Sequence, residues 1–228
     1  MPPRRVLTTL GIDEAGRGPA IGPLVMAAVA LTTRAAAALT RAGLTDSKAF
    51  GAGAAAHARR LELATKIREI ATFVGFEIVP VAVIDERVAR RELNQLEREV
   101  AIRLIEQAPV CDRLIADGQR MFSPLCVRYP RLLAIDRAEE RHASVAAASV
   151  IAKTLRDEAF AQICARYAPE FGDIAGGGYV NEATRRFLRA YAERYRRLPD
   201  EARRSWPHPY VADLVADHHV PSPQLSLC

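Results

Sequence analysis

Arg113-Leu-Ile-Ala-Asp117 reads as a compact apolar strand that runs directly into an aspartate, and Leu132-Leu-Ala-Ile-Asp136 repeats the pattern. A third apolar run, Val6 to Ile12, ends in Asp13-Glu14. Open α/β sheets gather their ligands outside the carboxyl ends of parallel strands. If the three strands are parallel, each delivers a carboxylate just past its last apolar residue to the same place, and their ends form one acidic cluster of Asp13, Glu14, Asp117 and Asp136. Consecutive side chains of a regular strand point to opposite faces, so Asp13 and Glu14 both join the cluster only if the strand bends there, and Gly16 and Gly18 supply the bend. Four carboxylates without His or Cys beside them make a hard, oxygen-only donor set, suited to Mg²⁺ or Mn²⁺ and poorly suited to zinc. Two such ions about 4 Å apart would neutralise the carboxylates, activate a water and stabilise the leaving oxygen of a phosphodiester. The competing reading is that each Asp merely caps a following helix or turn.

Working outward, Val6 to Ile12 and Leu24 to Leu31 read as antiparallel strands joined through Gly16 to Pro23. A short helix starts at Ala35, and Leu63, Ile67, Ile70 and Val74 at helical spacing predict another from about His57 to Ala71. Phe76 to Ile84 reads as a strand. Leu93, Leu96, Val100 and Leu104 then line one face of a helix, with Glu97, Arg98 and Arg103 turned away from it and Pro109 stopping it. Ala143 to Tyr167 is a long helix of small residues expected to end near Pro169. A turn at Gly176, Gly177 and Gly178 leads into a helix from Asn181 striped by Leu188, Tyr191, Tyr195 and Leu198. The order predicts an α/β layer over residues 1–168 and a helical C-terminal appendage over 169–228, with Pro207 to Cys228 as a loosely attached tail.

The 228 residues are half apolar and about a quarter charged, which makes collagen, coiled coil and disorder poor fits, and the longest nearly uninterrupted apolar run, Leu24 to Leu31, is far short of the about 20 residues needed to span a bilayer. Four sparse cysteines with no CxxC pair argue for reduced thiols, and with no signal-peptide pattern at the start they predict a cytoplasmic protein. The formal charge is +5, and 29 of the 32 cations are Arg, whose fork matches phosphate oxygens. That charge is compatible with nucleic acid.

Gly11-Ile-Asp-Glu-Ala-Gly-Arg-Gly-Pro19 resembles the N-terminal signature of ribonuclease HII, the type 2 ribonuclease H family. Further matches follow in the family's order: Leu44-Thr-Asp-Ser-Lys48, Ile84-Asp85 with Asn94, Ile115-Ala-Asp-Gly118, Ala146-Ala-Ala-Ser-Val-Ile-Ala-Lys153 with Arg156-Asp157, Gly178-Tyr179, and Arg203-Arg-Ser-Trp206. The resemblance covers residues 6 to 206 and implies an RNase H-like mixed sheet flanked by helices. It also implies a monomeric, Mn²⁺- or Mg²⁺-dependent endonuclease with two ions during catalysis. Its implied substrates are RNA/DNA hybrids and duplex DNA holding single ribonucleotides, cut on the 5′ side of the ribonucleotide to leave 3′-hydroxyl and 5′-phosphate ends.

By the same resemblance Asp13, Glu14, Asp117 and Asp136 hold the metals, and the backbone of Gly16, Arg17 and Gly18 reads the 2′-hydroxyl with help from Tyr179. Ser47 and Lys48 fall beside phosphates. The physical logic agrees, because glycines let peptide groups approach a sugar closely and the 2′-hydroxyl is what separates RNA from DNA. The chain departs from the family at three places. The spacing after Asp136 is about three residues long, with Glu139 nearer the usual offset, and Asp136 is preferred because a strand end delivers it. Gly177 stands where a Lys often precedes Gly-Tyr, and Asn181 and Thr184 stand where Thr and His are common. Two other readings remain: a non-catalytic hybrid-binding protein, and another RNase H-like nuclease indifferent to the 2′-hydroxyl.

Overall fold

The computed structural model describes residues 6–44 and 54–215. Five strands form one mixed sheet in the order β3-β2-β1-β4-β5: β1 Thr8–Ala15, β2 Leu24–Thr32, β3 Phe73–Val79, β4 Arg113–Asp117 and β5 Leu132–Ile135. The helices are α1 Thr33–Arg41, α2 Ala54–Ile70, α3 Val81–Ala89, α4 Leu93–Gln107, α5 Gln119–Phe122, α6 Ala143–Phe171 and α7 Glu182–Tyr195. The described residues fall into two compact units. One is drawn from Met1–Ala15, Val25–Ile78 and Asn94–Leu155, the other from Gly16–Leu24, Val79–Leu93 and Arg156–Cys228. No helix among the described residues is long and apolar enough to cross a membrane.

The first unit holds the sheet. β1 runs antiparallel to β2, and parallel to β4 from Thr9↔Arg113 to Ile12↔Ala116; β4 runs parallel to β5 and ends at Asp117↔Ile135. β2 is buried along almost its whole length. Val25, Ala27, Val29 and Leu31 share a core cluster with Leu39, Leu63, Ile67, Val150, Ile151 and the small residues Ala146, Ala147 and Ala148 of α6. Small side chains allow α6 to lie close on the sheet, and at Gly11 the approach is closest: a Cβ there would sit 2.2 Å from backbone atoms of Ser144 and Val145. Backbone cannot step aside as a flexible side chain can. Gly11→Ala is therefore expected to destabilise the fold by about 3–5 kcal/mol or to prevent soluble expression, read by urea denaturation.

Three local expectations are corrected. The run Phe76 to Ile84 is not one strand: β3 ends at Val79, Pro80 takes the N-cap of α3, and Val81 and Ile84 bury one face of that helix. Proline cannot donate to a sheet ladder but is well placed where a helix begins. Glu97, expected to face outward on α4, is fully buried. Helix α6 passes Pro169 and runs to Phe171, its last turn closed by the Gly172 N–H donating to the Ala168 carbonyl at 2.9 Å.

The second unit has its own core. Ile21, Phe160, Ile163, Phe187, Leu188 and Tyr191 pack together, with Tyr167 and Phe171 stacked edge to face or tilted against Phe187 and Tyr191. Asn181 caps α7 by accepting from the Thr184 N–H at 2.9 Å. The described part of the predicted tail is packed down, since Val211 is fully buried in this core.

Candidate active site

The acidic side chains lie where the parallel ladders end. Ile12 pairs with Ala116, so Asp13 and Asp117 are the next residues of neighbouring parallel strands and point to the same face. Asp13 is 6 % exposed. Its carboxylate accepts from the Ser149 hydroxyl of α6 and from the Glu14 N–H, the latter at 2.8 Å. Burial, followed by the negative charges of Asp117 and Glu139, nevertheless raises its pKa from 3.8 to about 7. The two hydrogen bonds oppose the shift and lose to desolvation.

The strand does not bend at Asp13-Glu14 as expected. Pairing with β2 continues through Glu14↔Met26 to Ala15↔Val25, and the turn comes at Gly16, whose φ is 88°. Alternation therefore holds at this point, and Asp13 and Glu14 start toward opposite faces of the sheet.

Asp136 and Glu139 exchange the surroundings expected for them. Asp136 follows the last residue of β5, an edge strand; it is exposed, and its Oδ1 accepts from the Gln119 N–H at 2.7 Å, the first amide of α5. That is a capping arrangement. Beyond it Ala138 is fully buried against Ile115 and Val145, and its N–H donates to Asp117 Oδ1 at 2.8 Å. With Ala138 anchored, the single turn Ala138–Glu140 carries Glu139 inward, where it is 4 % exposed and its charge acts on Asp13. The strand-end rule selected Asp136. The signal for Glu139 was its offset from the Ala-Ala-Ser helix.

No three His, Cys, Asp or Glu side chains among the described residues already stand at metal-ligand spacing. The donor chemistry nonetheless fits a hard divalent cation. Asp13, Asp117 and Glu139 offer only carboxylate oxygens, and the like charges that add to burial in raising Asp13 are those a cation would offset.

The nucleic-acid residues named from the sequence belong to the second unit or fall outside the described residues. Gly16, Arg17 and Gly18 form the turn after β1, and the Tyr179 ring lies 3.3 Å from where a Cβ on Gly18 would be. Tyr179 is 55 % exposed. The Gly178 carbonyl accepts from the Ala20 and Ile21 N–H groups at 2.8 and 3.2 Å, tying the Gly-Tyr segment to the turn. Ser47 and Lys48 lie outside the described residues. Of the Arg-rich α7 region, Arg189, Arg194 and Arg197 are engaged in ion pairs with Asp213, Glu170 and Asp200. Arg156, on α6, is buried, donates to the Ile21 carbonyl at 2.8 Å and stacks over Phe160.

Comparison with known proteins bears on the family and the fold. The family model described as "Ribonuclease HII" matches residues 10–208. Ribonuclease HII of Methanothermobacter thermautotrophicus is 36 % identical over 207 residues, spanning 88 % of this chain and 96 % of that one. Among solved structures, ribonuclease H2 from Pyrococcus horikoshii superposes with a TM-score of 0.76 at 26 % identity, covering 89 % of this chain and 95 % of that one. The RNase HII of a PCNA complex from Archaeoglobus fulgidus gives 0.74 at 31 %, covering 88 % and 96 %. An RNase H-like sheet with acidic groups at its parallel strand ends, matched nearly end to end by these relatives, places the chain in the ribonuclease HII family of type 2 ribonucleases H, which are endonucleolytic hydrolases.

Proposed function

We propose that the protein hydrolyses the phosphodiester on the 5′ side of a ribonucleotide, in RNA/DNA hybrids and at single ribonucleotides within duplex DNA, leaving 3′-hydroxyl and 5′-phosphate ends. The observation that carries this reading is Asp13, buried at the end of β1 with the charges of Asp117 and Glu139 acting on it. Asp13, Asp117 and Glu139 would hold Mn²⁺ or Mg²⁺, with two ions during turnover. Glu139 takes the fourth carboxylate's place in preference to Asp136, and Glu14, whose side chain starts toward the other face of the sheet, would reach the ions only around the end of β1, just before the Gly16 turn. Bound there, the ions supply a nucleophilic water and stabilise the leaving oxygen.

The chain's own residues prepare that chemistry. Ser149 and the Glu14 N–H orient the Asp13 carboxylate, and the Ala138 N–H orients that of Asp117. Oriented ligands need less rearrangement when charge develops on the phosphate. Three residues along the chain from Asp13, the Gly16-Arg17-Gly18 backbone is suited to the ribose 2′-hydroxyl, and the Tyr179 ring to the neighbouring nucleotide. The setting proposed is a cytoplasmic monomer that removes misincorporated ribonucleotides and clears primers.

The test is a duplex containing one ribonucleotide beside an all-DNA duplex, each incubated with Mg²⁺ or Mn²⁺ and with EDTA. A single nick 5′ to the ribonucleotide, dependent on the cation and absent from the all-DNA duplex, is expected. Equal cutting of both duplexes would identify a nuclease indifferent to the 2′-hydroxyl. Binding without cutting would identify a hybrid-binding protein.

A further inference from the structure

The segment Arg203-Arg-Ser-Trp206 is far from the acidic residues in sequence, and none of the chemistry above uses it. Arg203 is nevertheless the largest of the fully buried side chains. Its guanidinium donates to three carbonyls of one turn: Nε to Gly22 at 3.0 Å, Nη1 to Arg17 at 2.8 Å, and Nη2 to Gly16. Trp206 stacks on this group, with the guanidinium carbon 4.8 Å from the ring centroid, and its indole N–H donates to the Gly18 carbonyl at 3.2 Å. The Arg203 main-chain N–H donates to Ala20 at 2.8 Å. Two side chains and one amide thus engage the carbonyls of Gly16, Arg17, Gly18, Ala20 and Gly22.

The consequence follows from peptide geometry. In a trans peptide the C=O and the following N–H point in opposite directions. With the Gly16 and Arg17 carbonyls drawn toward Arg203, the N–H groups of Arg17 and Gly18 point away from it. Their partial positive charge, reinforced by the guanidinium behind them, faces whatever the turn meets on its other side. Two adjacent outward amides suit an oxygen acceptor such as a ribose hydroxyl or a phosphate.

The fork itself is held from both sides. Asp85 of α3 accepts from the N–H groups of Arg204 and Ser205 at 2.9 and 3.0 Å and from the Ser205 hydroxyl. On the other side His208 Nε2 bonds the Arg203 carbonyl at 2.8 Å, while its Nδ1 pairs with the Tyr210 hydroxyl at 2.7 Å. Lysine could not replace this fork, because a single ammonium cannot reach three carbonyls set at different angles with planar geometry.

We propose that Arg203 and Trp206 are positioning residues for ribose recognition: they lock the carbonyls of the Gly16–Gly22 turn inward and so aim the Arg17 and Gly18 amides at the substrate. This rests on the ribonuclease reading, in which that turn senses the 2′-hydroxyl. Trp206→Phe is the sharper variant, since it keeps an aromatic ring over Arg203 and deletes only the N–H that holds Gly18. Arg203→Lys removes the fork.

The measurement is kcat/KM on a duplex with one ribonucleotide and on the same duplex carrying 2′-fluoro at that sugar, together with Kd for the all-DNA duplex and Tm for each variant. In Trp206→Phe, the preference for the ribonucleotide is expected to fall about tenfold, the loss of one well-placed hydrogen bond. Affinity for all-DNA duplex and Tm should stay near wild type, and Arg203→Lys, where it folds, should lose more. If the folded Trp206→Phe protein keeps the wild-type preference, or loses activity equally on both sugars, the proposal is overturned. Should the wild-type protein show no preference for the ribonucleotide, the ribonuclease reading itself fails, a different outcome from either.

Discussion

Asp13→Asn is expected to abolish cleavage and, with EDTA present, to make the protein more stable than wild type at pH 8. The carboxylate is buried, and its pKa is raised from 3.8 to about 7 by desolvation and then by the charges of Asp117 and Glu139. Below about pH 4 the group is protonated in the folded and unfolded states alike, and it costs nothing. Between that point and pH 7 the folded protein holds a proton that the unfolded chain releases, so stability falls as the pH rises. Above pH 7 the full penalty of a buried charge is present. Each pKa unit corresponds to about 1.4 kcal/mol, so the variant should gain on the order of 2–4 kcal/mol at pH 8 and almost nothing at pH 4. Urea denaturation at the two pH values measures this directly. Adding Mn²⁺ should raise the stability of wild type and leave the variant nearly unchanged, because a ligand stabilises only the state that binds it. Cleavage of the single-ribonucleotide duplex should fall by about a thousandfold or more. An equal or lower stability of the variant at pH 8 would show that Asp13 is not held in a repulsive, dehydrated site.

The second large effect is a ranking. Glu139→Gln is expected to reduce cleavage by about a hundredfold or more, whereas Asp136→Asn should cost less than about tenfold. Glutamine keeps the size of Glu139 and the inward turn anchored by Ala138 while removing the charge that faces Asp13. Asparagine at 136 can still accept the Gln119 amide through its side-chain oxygen, so the start of α5 should survive. Isothermal titration with Mn²⁺ provides a readout apart from turnover: Glu139→Gln should weaken binding and Asp136→Asn should not. The opposite order in both measurements would return the fourth place to Asp136.

These expectations differ from those of the sequence at one residue, and the reason is instructive. Apolar runs closed by an acidic residue identified the ends of β4 and β5, because a buried strand needs continuous apolar side chains and a carboxylate ends that run; at β1 they marked only where the ladder to β4 stops, since β1 itself continues to Ala15. The same rule cannot show what happens after an edge strand stops. At Asp136 the backbone turns, and one small buried residue, Ala138, determines which carboxylate goes inward. Pro80 hid in a similar way, since Val79 to Ile84 is apolar throughout and only the proline marks the change from strand to helix. On α4, Glu97 sits beside apolar positions that periodicity alone could not have marked as buried.

The amino-acid sequence by itself determined the family, the α/β class, and the short apolar runs that lead into carboxylates. These depend on local order and residue type, which the chain carries along its length. Only the tertiary structure decided that Glu139 is buried with its charge acting on Asp13 while Asp136 stays exposed, that β1 keeps its pairing through Glu14, and that Arg203 grips the glycine turn. Each of those depends on contacts between segments distant in the chain, where burial and backbone direction select among carboxylates and cations that look equivalent in sequence.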